Sequence, residues 1–111
     1  MANIVFGAAP GFSCFTVLAV YADFYLSSLR REGAAVHVVG GGDPAVDELA
    51  ERYARSRRLP WRRAADAWAP LSGLPADATH LIVFWDGRSA EPPRLVAEAR
   101  RRGLLYRVAR L

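Results

Sequence analysis

Apolar residues along this chain form short runs that alternate with segments of helical spacing. The runs are short, rich in valine and aromatic residues, and bounded by glycine, proline or aspartate, which is typical of buried strands. A brief extended segment after Pro60 is also predicted to be a strand. The predicted strands are Asn3 to Phe6, Ala35 to Val39, Trp61 to Ala65, Thr79 to Trp85 and Leu104 to Val108.

Three segments between these runs have apolar residues three and four positions apart, which predicts helices. They cover Cys14 to Arg31, Pro44 to about Arg58, and Pro92 to Gly103. Asp43 followed by Pro44 is a favourable start for the second helix, and Ser13 or Thr16 is expected to cap the first.

The first helix carries two apolar stripes. The stripe expected to face a sheet consists of Leu18, Tyr21, Ala22, Tyr25 and Leu29. A second stripe, made of Val17, Val20 and Phe24, widens the apolar arc beyond what one sheet face needs. Either this helix covers a partner, or loops bury it on its second side.

Strands that alternate with helices predict an α/β protein, because short right-handed crossovers place successive strands in parallel. We therefore expect a Rossmann-like three-layer sandwich, with a mostly parallel sheet of about five strands flanked by about three helices. A chain of 111 residues fits one such domain, residues 1–111, without disulfides or metal.

Charge and composition exclude little. All 15 basic residues are arginine, against 11 acidic residues, and the net charge is +4. Many arginines stand four positions from an acid, the spacing of helical ion pairs, so we interpret them as solvated helix faces and disfavour a nucleic-acid surface. These pairs are Glu48 with Arg52, Glu51 with Arg55, and Glu98 with Arg102.

The remaining composition argues for a cytoplasmic protein without a metal. Cys14 is the single cysteine and is expected to be a packed thiol. The uncharged run from Met1 to Ala22 lacks a basic start and contains Gly7, Pro10 and Gly11, so it predicts strand, turn and helix rather than a signal peptide or membrane span. The histidines, His37 and His80, lack cysteine or carboxylate partners at metal-binding spacing.

Two polar, glycine-containing turns follow predicted strands and are the candidate ligand sites. One runs from Gly40 to Pro44, and the other from Asp86 to Ser89. A glycine turn that leads into a helix brings backbone N–H groups and the positive end of the helix dipole to one place, which suits phosphate. A plain strand-to-helix connection explains each turn equally well.

These turns resemble those of small stand-alone domains of the SLOG superfamily, a Rossmann-like group that includes nucleotide-sensing domains and the Lonely Guy phosphoribohydrolases. The resemblance covers most of Val36 to Leu111, and its most specific part is the passage from Phe84 to Ser89. It implies binding of NAD, ADP-ribose or a nucleoside monophosphate at the carboxyl edge of the sheet. The residues that it assigns to the ligand site are Gly7, Gly41, Gly42, Asp47, Trp68, Asp86, Gly87 and Ser89.

In this reading Asp47 bonds a ribose hydroxyl, Ser89 donates to phosphate and Trp68 stacks on a base. The protein is then a nucleotide-binding module, with no cofactor beyond that ligand. Glu91 and Pro92 stand where the family has Gly-Thr, which favours an alternative: a degenerate fold that self-associates, or docks another protein, through the helix Cys14 to Arg31. A further alternative is a phosphoribohydrolase-like enzyme that uses Asp47 or Asp86 in acid–base catalysis.

Overall fold

The computed structural model describes residues 1–41, 43–63 and 74–111. Within them the chain forms five strands and three helices, in the alternating order that the apolar pattern predicts. The elements are β1 (Ala2–Ala8), α1 (Phe15–Arg31), β2 (Val36–Gly40), α2 (Pro44–Ser56), β3 (Trp61–Arg63), β4 (His80–Trp85), α3 (Glu91–Arg101) and β5 (Leu105–Arg110).

The strands form one sheet in the order β3-β2-β1-β4-β5, and every neighbouring pair is parallel. The strand order runs outward from β1 in both directions, so it reverses between β1 and β4. This arrangement confirms the predicted α/β, Rossmann-like architecture. All carboxyl ends of the strands meet at one edge of the sheet.

A separate apolar core lies on each face of the sheet, because side chains alternate along every strand. On one face, Ile4 and Phe6 of β1 pack under α1 and α2, with Leu18 and Tyr53 among their neighbours. On the other face, residues such as Val83 pack under α3. The three layers of the prediction are therefore present.

The start of α1 differs from the prediction in two ways. The helix begins at Phe15, and Cys14 occupies the N-cap position without a side-chain hydrogen bond, so the predicted capping by Ser13 or Thr16 is wrong. Cys14 is exposed rather than packed. A residue in an apolar stretch of sequence need not face the core. The Cys14 side chain is exposed at the turn before α1.

The predicted ion pair between Glu98 and Arg102 does not form, and each residue has another partner. Glu98 pairs with Arg101, three positions on, instead of with Arg102. The Arg102 guanidinium donates to the carbonyl oxygens of Leu74 at 3.2 Å and Pro75 at 2.7 Å. It therefore anchors the segment before β4 to the end of α3.

Among the described residues, no helix combines the length and the apolar character needed to cross a bilayer.

Candidate ligand site at the carboxyl edge

Ligands of open parallel sheets bind beyond the carboxyl ends of the strands, where the loops leave the sheet. The loop after β1 lies against the end of β4: the Phe12 and Phe84 rings stack with centroids 5.0 Å apart. The Ala9 N–H also donates to the Phe84 carbonyl at 2.9 Å. Apolar contact thus fixes this loop where the strand order reverses.

The turn between β2 and α2 is built around Asp47. The Asp47 side chain is 9% exposed, and its Oδ1 accepts a hydrogen bond from the Gly41 N–H at 3.0 Å. Asp43 caps the helix by accepting from the Ala45 N–H at 3.1 Å. Two carboxylates at the positive end of α2 are favourable to its dipole and hold the turn in place.

Gly40 makes this close approach of Asp47 to the strand feasible. A Cβ atom on Gly40 would lie 2.9 Å from Asp47 Oδ2 and 3.0 Å from Trp61 Cη2. Any larger residue would push the carboxylate or the indole away. Packing therefore requires glycine at position 40, whereas the ligand roles predicted from the sequence fall on Gly41 and Gly42.

A cavity of about 630 Å³ opens beside this turn, between α2 and the end of β3. It is lined by side chains of both signs of charge. Glu51 accepts from Arg55 within the lining at 2.9 Å. The lining residues are Gly40, Pro44, Asp47, Glu48, Glu51, Arg52, Arg55 and Arg63.

Sequence reasoning did not select the three arginines of this cavity. Arg52 and Arg55 were interpreted as members of helical ion pairs, and Arg63 received no role. The Arg52 guanidinium lies 4.1 Å from the centroid of the Phe15 ring of α1. The signal available was that Arg62 and Arg63 lie within the short extended piece predicted from Trp61 to Ala65, and the sequence does not show which neighbours that piece has.

The turn between β4 and α3 is closed by its own aspartate. Asp86 Oδ1 accepts from the backbone N–H groups of Arg88 at 2.9 Å and Ser89 at 2.8 Å, and the Ser89 Oγ also donates to it at 2.7 Å. These donors lower the pKa of Asp86 to about 2, the Ser89 backbone N–H having the largest effect. The hydroxyl and the amide predicted to hold phosphate therefore bind a carboxylate of the same turn.

Arg110, from the end of β5, covers the β4–α3 turn. Gly87 has a positive φ of 83°, and a Cβ there would collide with the Arg110 guanidinium. The same guanidinium lies 5.3 Å from the centroid of the half-buried Trp85 ring, whose Nε1 donates to the Ser89 carbonyl at 3.0 Å. Packing and backbone conformation are sufficient reasons for glycine at this position.

The helix starts at this edge differ in charge. The first turn of α3 contains Glu91, and prolines at the next two positions, Pro92 and Pro93, remove two backbone donors. The first turn of α1 contains no acidic residue. An anion is thus disfavoured at the start of α3. The sequence had already indicated this through Glu91 and Pro92, and Pro93 adds to the effect.

Gly7 lies within β1, beneath Leu95 of α3. A Cβ on Gly7 would lie 2.5 Å from Leu95 Cδ1 and 3.3 Å from Val83 Cγ2. Its position in the apolar core explains the glycine through helix–sheet packing.

The predicted site residues thus fall into separate groups. Gly41 and Asp47 share the β2–α2 turn, whereas Asp86, Gly87 and Ser89 form the β4–α3 turn. Gly42 and Trp68 lie outside the described residues. The cavity adjoins the first group.

No cluster of histidine, cysteine, aspartate or glutamate suited to a metal ion occurs in residues 1–41, 43–63 and 74–111.

The fold and this edge define an α/β protein with an all-parallel, Rossmann-like sheet and a charged cavity beside its second and third strands. Neither the protein-family models, nor the curated proteins, nor the solved structures compared with the chain match it. The SLOG resemblance therefore rests on the sequence motifs alone.

Proposed function

We propose that the protein is a non-catalytic module that binds a nucleotide or a nucleotide derivative at the carboxyl edge of its sheet. The observation that carries this proposal is the cavity between α2 and β3, whose lining combines three arginines with three carboxylates, Asp47 among them. The cavity adjoins the carboxyl ends of β2 and β3, the edge of the sheet at which open α/β proteins bind ligands, although the strand order reverses further along, between β1 and β4.

The chemistry of the lining supports this ligand class. Guanidinium groups of Arg52, Arg55 and Arg63 provide charge-assisted donors for phosphate oxygens. Carboxylates accept hydrogen bonds from ribose hydroxyls, and Asp47 is held in place by Gly41 for that role. A volume of about 630 Å³ falls within the range of small-molecule pockets.

The aspartate of the β4–α3 turn argues against proton-transfer chemistry there. A general acid needs a pKa near the working pH, and the pKa of Asp86 is about 2. This carboxyl stays charged at neutral pH and already accepts from Arg88 and Ser89. Of the two acid–base candidates, Asp86 is therefore the less suited to proton transfer, and we propose binding alone as the function.

Thermal-shift and calorimetric titrations with AMP, ADP-ribose and NAD test the proposal. A ligand at 100 times its dissociation constant should stabilise the protein by about 2.7 kcal/mol. Adenosine, which lacks phosphate, should bind at least about tenfold more weakly than AMP, because it forgoes the hydrogen bonds to guanidinium.

The variant Arg63→Gln should weaken AMP binding about tenfold or more, whereas Arg58→Gln, an exposed arginine outside the cavity, should leave it unchanged. If the folded protein shows no shift with any of the three nucleotides, or if Arg63→Gln binds AMP as well as the wild type does, the proposal is wrong.

Exposed apolar residues on α1 favour one second candidate, self-association of the protein through this helix. Phe24 is 73% exposed and Val20 is 61% exposed, and they lie one turn apart on the outer face. Antiparallel packing of two copies would place Phe24 of each against Val20 of the other. Sedimentation at increasing concentration should then show dimers that Phe24→Ser abolishes; a monomer at every concentration contradicts this candidate.

A further inference from the structure

The net positive charge of the protein is confined to its last β-α-β unit. Residues 86–111 contain seven of the 15 arginines and three of the 11 acidic residues, so this segment alone has a net charge of +4. The eight arginines and eight acids before it balance. Five arginines of this segment lie in β5 or at the end of α3; they are Arg100, Arg101, Arg102, Arg107 and Arg110.

β5 forms one edge of the five-stranded sheet, and one side of its backbone faces outward. The Leu105 N–H donates to the Thr79 carbonyl at 3.2 Å, and the Leu111 N–H donates to the Trp85 carbonyl at 2.8 Å. Alternate residues of a parallel strand direct both backbone groups to the same neighbour. The N–H and C=O groups of Tyr106, Val108 and Arg110 therefore point away from β4.

This edge is only lightly protected. Of its outward carbonyls, that of Tyr106 accepts from Arg107 Nη1 at 2.9 Å. Edge strands commonly use a charged side chain in this way to discourage pairing. For the other outward groups of Val108 and Arg110, no backbone partner occurs within the described residues.

Two cavities flank β5, one on each face of the sheet. On the α1 face, a cavity of about 210 Å³ is lined by Leu29 and Leu105, with Glu32 and Arg107 as its charged residues. On the α3 face, a cavity of about 300 Å³ lies between Val96 and Val108, with Arg100 at its side. Leu105 is 61% exposed and Val108 is 39% exposed.

We propose that β5 is a docking edge for an extended, acidic segment of a partner protein, which adds to the sheet as a sixth strand. Successive side chains of an added strand point to opposite faces, so neighbouring aliphatic residues of the segment enter the two cavities in turn. Acidic residues on either side of them pair with Arg100 and Arg107.

Backbone geometry and charge together select this occupant. The outward N–H and C=O groups of Val108 match another strand, and a nucleic acid has no equivalent of this repeating pattern. The surface between the arginines contains aromatic rings, Tyr25 and Tyr106 in one cavity and Trp85 in the other, but all three are half-buried. Sequence-tolerant binding of single strands depends on exposed aromatic rings. The one indole nearby, Trp85, is covered by Arg110.

The test uses the whole chain and an end-capped synthetic peptide of sequence Glu-Glu-Val-Leu-Val-Glu-Glu. Fluorescence anisotropy gives its affinity, and NMR-detected hydrogen exchange reports on single amides. We expect saturating peptide to slow exchange of the Val108 and Arg110 amides at least about tenfold, because these N–H groups gain acceptors. A matched peptide with lysine in place of glutamate should bind at least about tenfold more weakly.

Two pairs of variants separate the backbone and charge contributions. Val108→Pro removes an outward N–H, which an edge strand tolerates, and should weaken peptide binding at least about tenfold, whereas Val108→Thr keeps the N–H and should bind more tightly than Val108→Pro. Arg107→Gln should weaken binding several-fold, and Arg58→Gln, which is remote from β5, should not. Circular dichroism verifies that each variant is folded.

Several results would overturn the proposal. These are an absence of binding of the acidic peptide to the folded protein at millimolar concentration, equal binding of the lysine peptide, or binding without slower exchange at Val108. Displacement of the peptide by a 12-base-pair DNA duplex that itself binds more tightly, with steep salt dependence, would assign the basic surface to nucleic acid instead.

Discussion

The Tyr53 hydroxyl donates a hydrogen bond of 2.7 Å to Asp23 Oδ1 and so joins α2 to α1. Tyr53 is only 1% exposed, and burial together with the nearby carboxylate raises its pKa well above the usual value. Asp23 also accepts from Arg57, through Nε at 2.9 Å and Nη2 at 2.7 Å. One carboxylate thus fixes the relative position of the two helices that cover one face of the sheet.

The first prediction concerns this contact. Tyr53→Phe should lower the free energy of unfolding by about 1–2 kcal/mol, because Asp23 loses a buried donor while its bonds to Arg57 persist. Urea denaturation measures the change. Tyr25→Phe is the matched control, since the Tyr25 hydroxyl has no hydrogen bond within the described residues; equal effects of the two substitutions would contradict the assigned role.

The second prediction concerns the pH dependence of the β4–α3 turn. The pKa of Asp86 is about 2 in the folded protein, below its ordinary value of 3.8. Its contribution to stability is therefore fully present above about pH 3.8 and disappears as the pH falls towards 2. The carboxyl ¹³C shift of Asp86 should titrate with a midpoint near 2, and Ser89→Ala should raise that midpoint.

A midpoint near 3.8 in the wild type would contradict the hydrogen bonding described for this turn. The pKa of Asp23 is lowered as well, chiefly by its hydrogen bond to Arg57. Its contribution to stability is therefore also present above about pH 3.8 and is lost as the pH falls below that value. The two carboxyls are distinguished by Arg57→Gln, which should raise the Asp23 midpoint and leave that of Asp86 unchanged.

The order of elements could be predicted because it depends on local periodicity. The apolar runs that became β1, β2 and β4 are buried on both faces, as central parallel strands are. β5 also begins with apolar residues, but it contains Arg107 and Arg110, and it exposes Leu105 and Val108 because it lies at an edge. A sequence pattern does not say where in the sheet a strand lies, and the docking edge follows from that position.

The candidate site was less accessible to prediction, since its contacts join distant parts of the chain. The choice of Asp47 as a ligand residue at the start of α2 stays a prediction, and its hydrogen bond to Gly41 depends on the crossing of helix and strand. Arg110 lies over Gly87 only because β5 pairs with β4 in one register. Both relationships require the assembled sheet.

The third prediction concerns the close approach of α3 to β1. Gly7→Ala should destabilise the protein by about 1–3 kcal/mol, because the added Cβ meets Leu95 Cδ1 at 2.5 Å in a packed core. In a Leu95→Ala background the same substitution should cost much less, since the obstructing methyl group is absent. Additive effects in this double-mutant cycle, measured by urea denaturation, would show that the two residues do not compete for space.

The fourth prediction separates the structural role of Asp47 from its proposed contact with ligand. Asp47→Ala should destabilise the protein by about 1–3 kcal/mol, because the Gly41 N–H loses its acceptor beside a buried turn. Asp47→Asn keeps an oxygen at the same place and should be markedly less destabilising. Glu48 is the next residue of α2 and is exposed. Glu48→Gln should therefore change the free energy of unfolding by no more than about 0.5 kcal/mol.

Urea denaturation gives these three values, and titration with AMP on the same samples gives the affinities. Because a ribose hydroxyl donates more strongly to a carboxylate than to an amide oxygen, Asp47→Asn should weaken AMP binding several-fold while the protein remains folded. Equal stability of the alanine and asparagine variants would show that the Gly41 contact does not hold the turn. Unchanged AMP affinity in Asp47→Asn would remove Asp47 from the ligand site and leave the arginines of the cavity to bind the ligand without it.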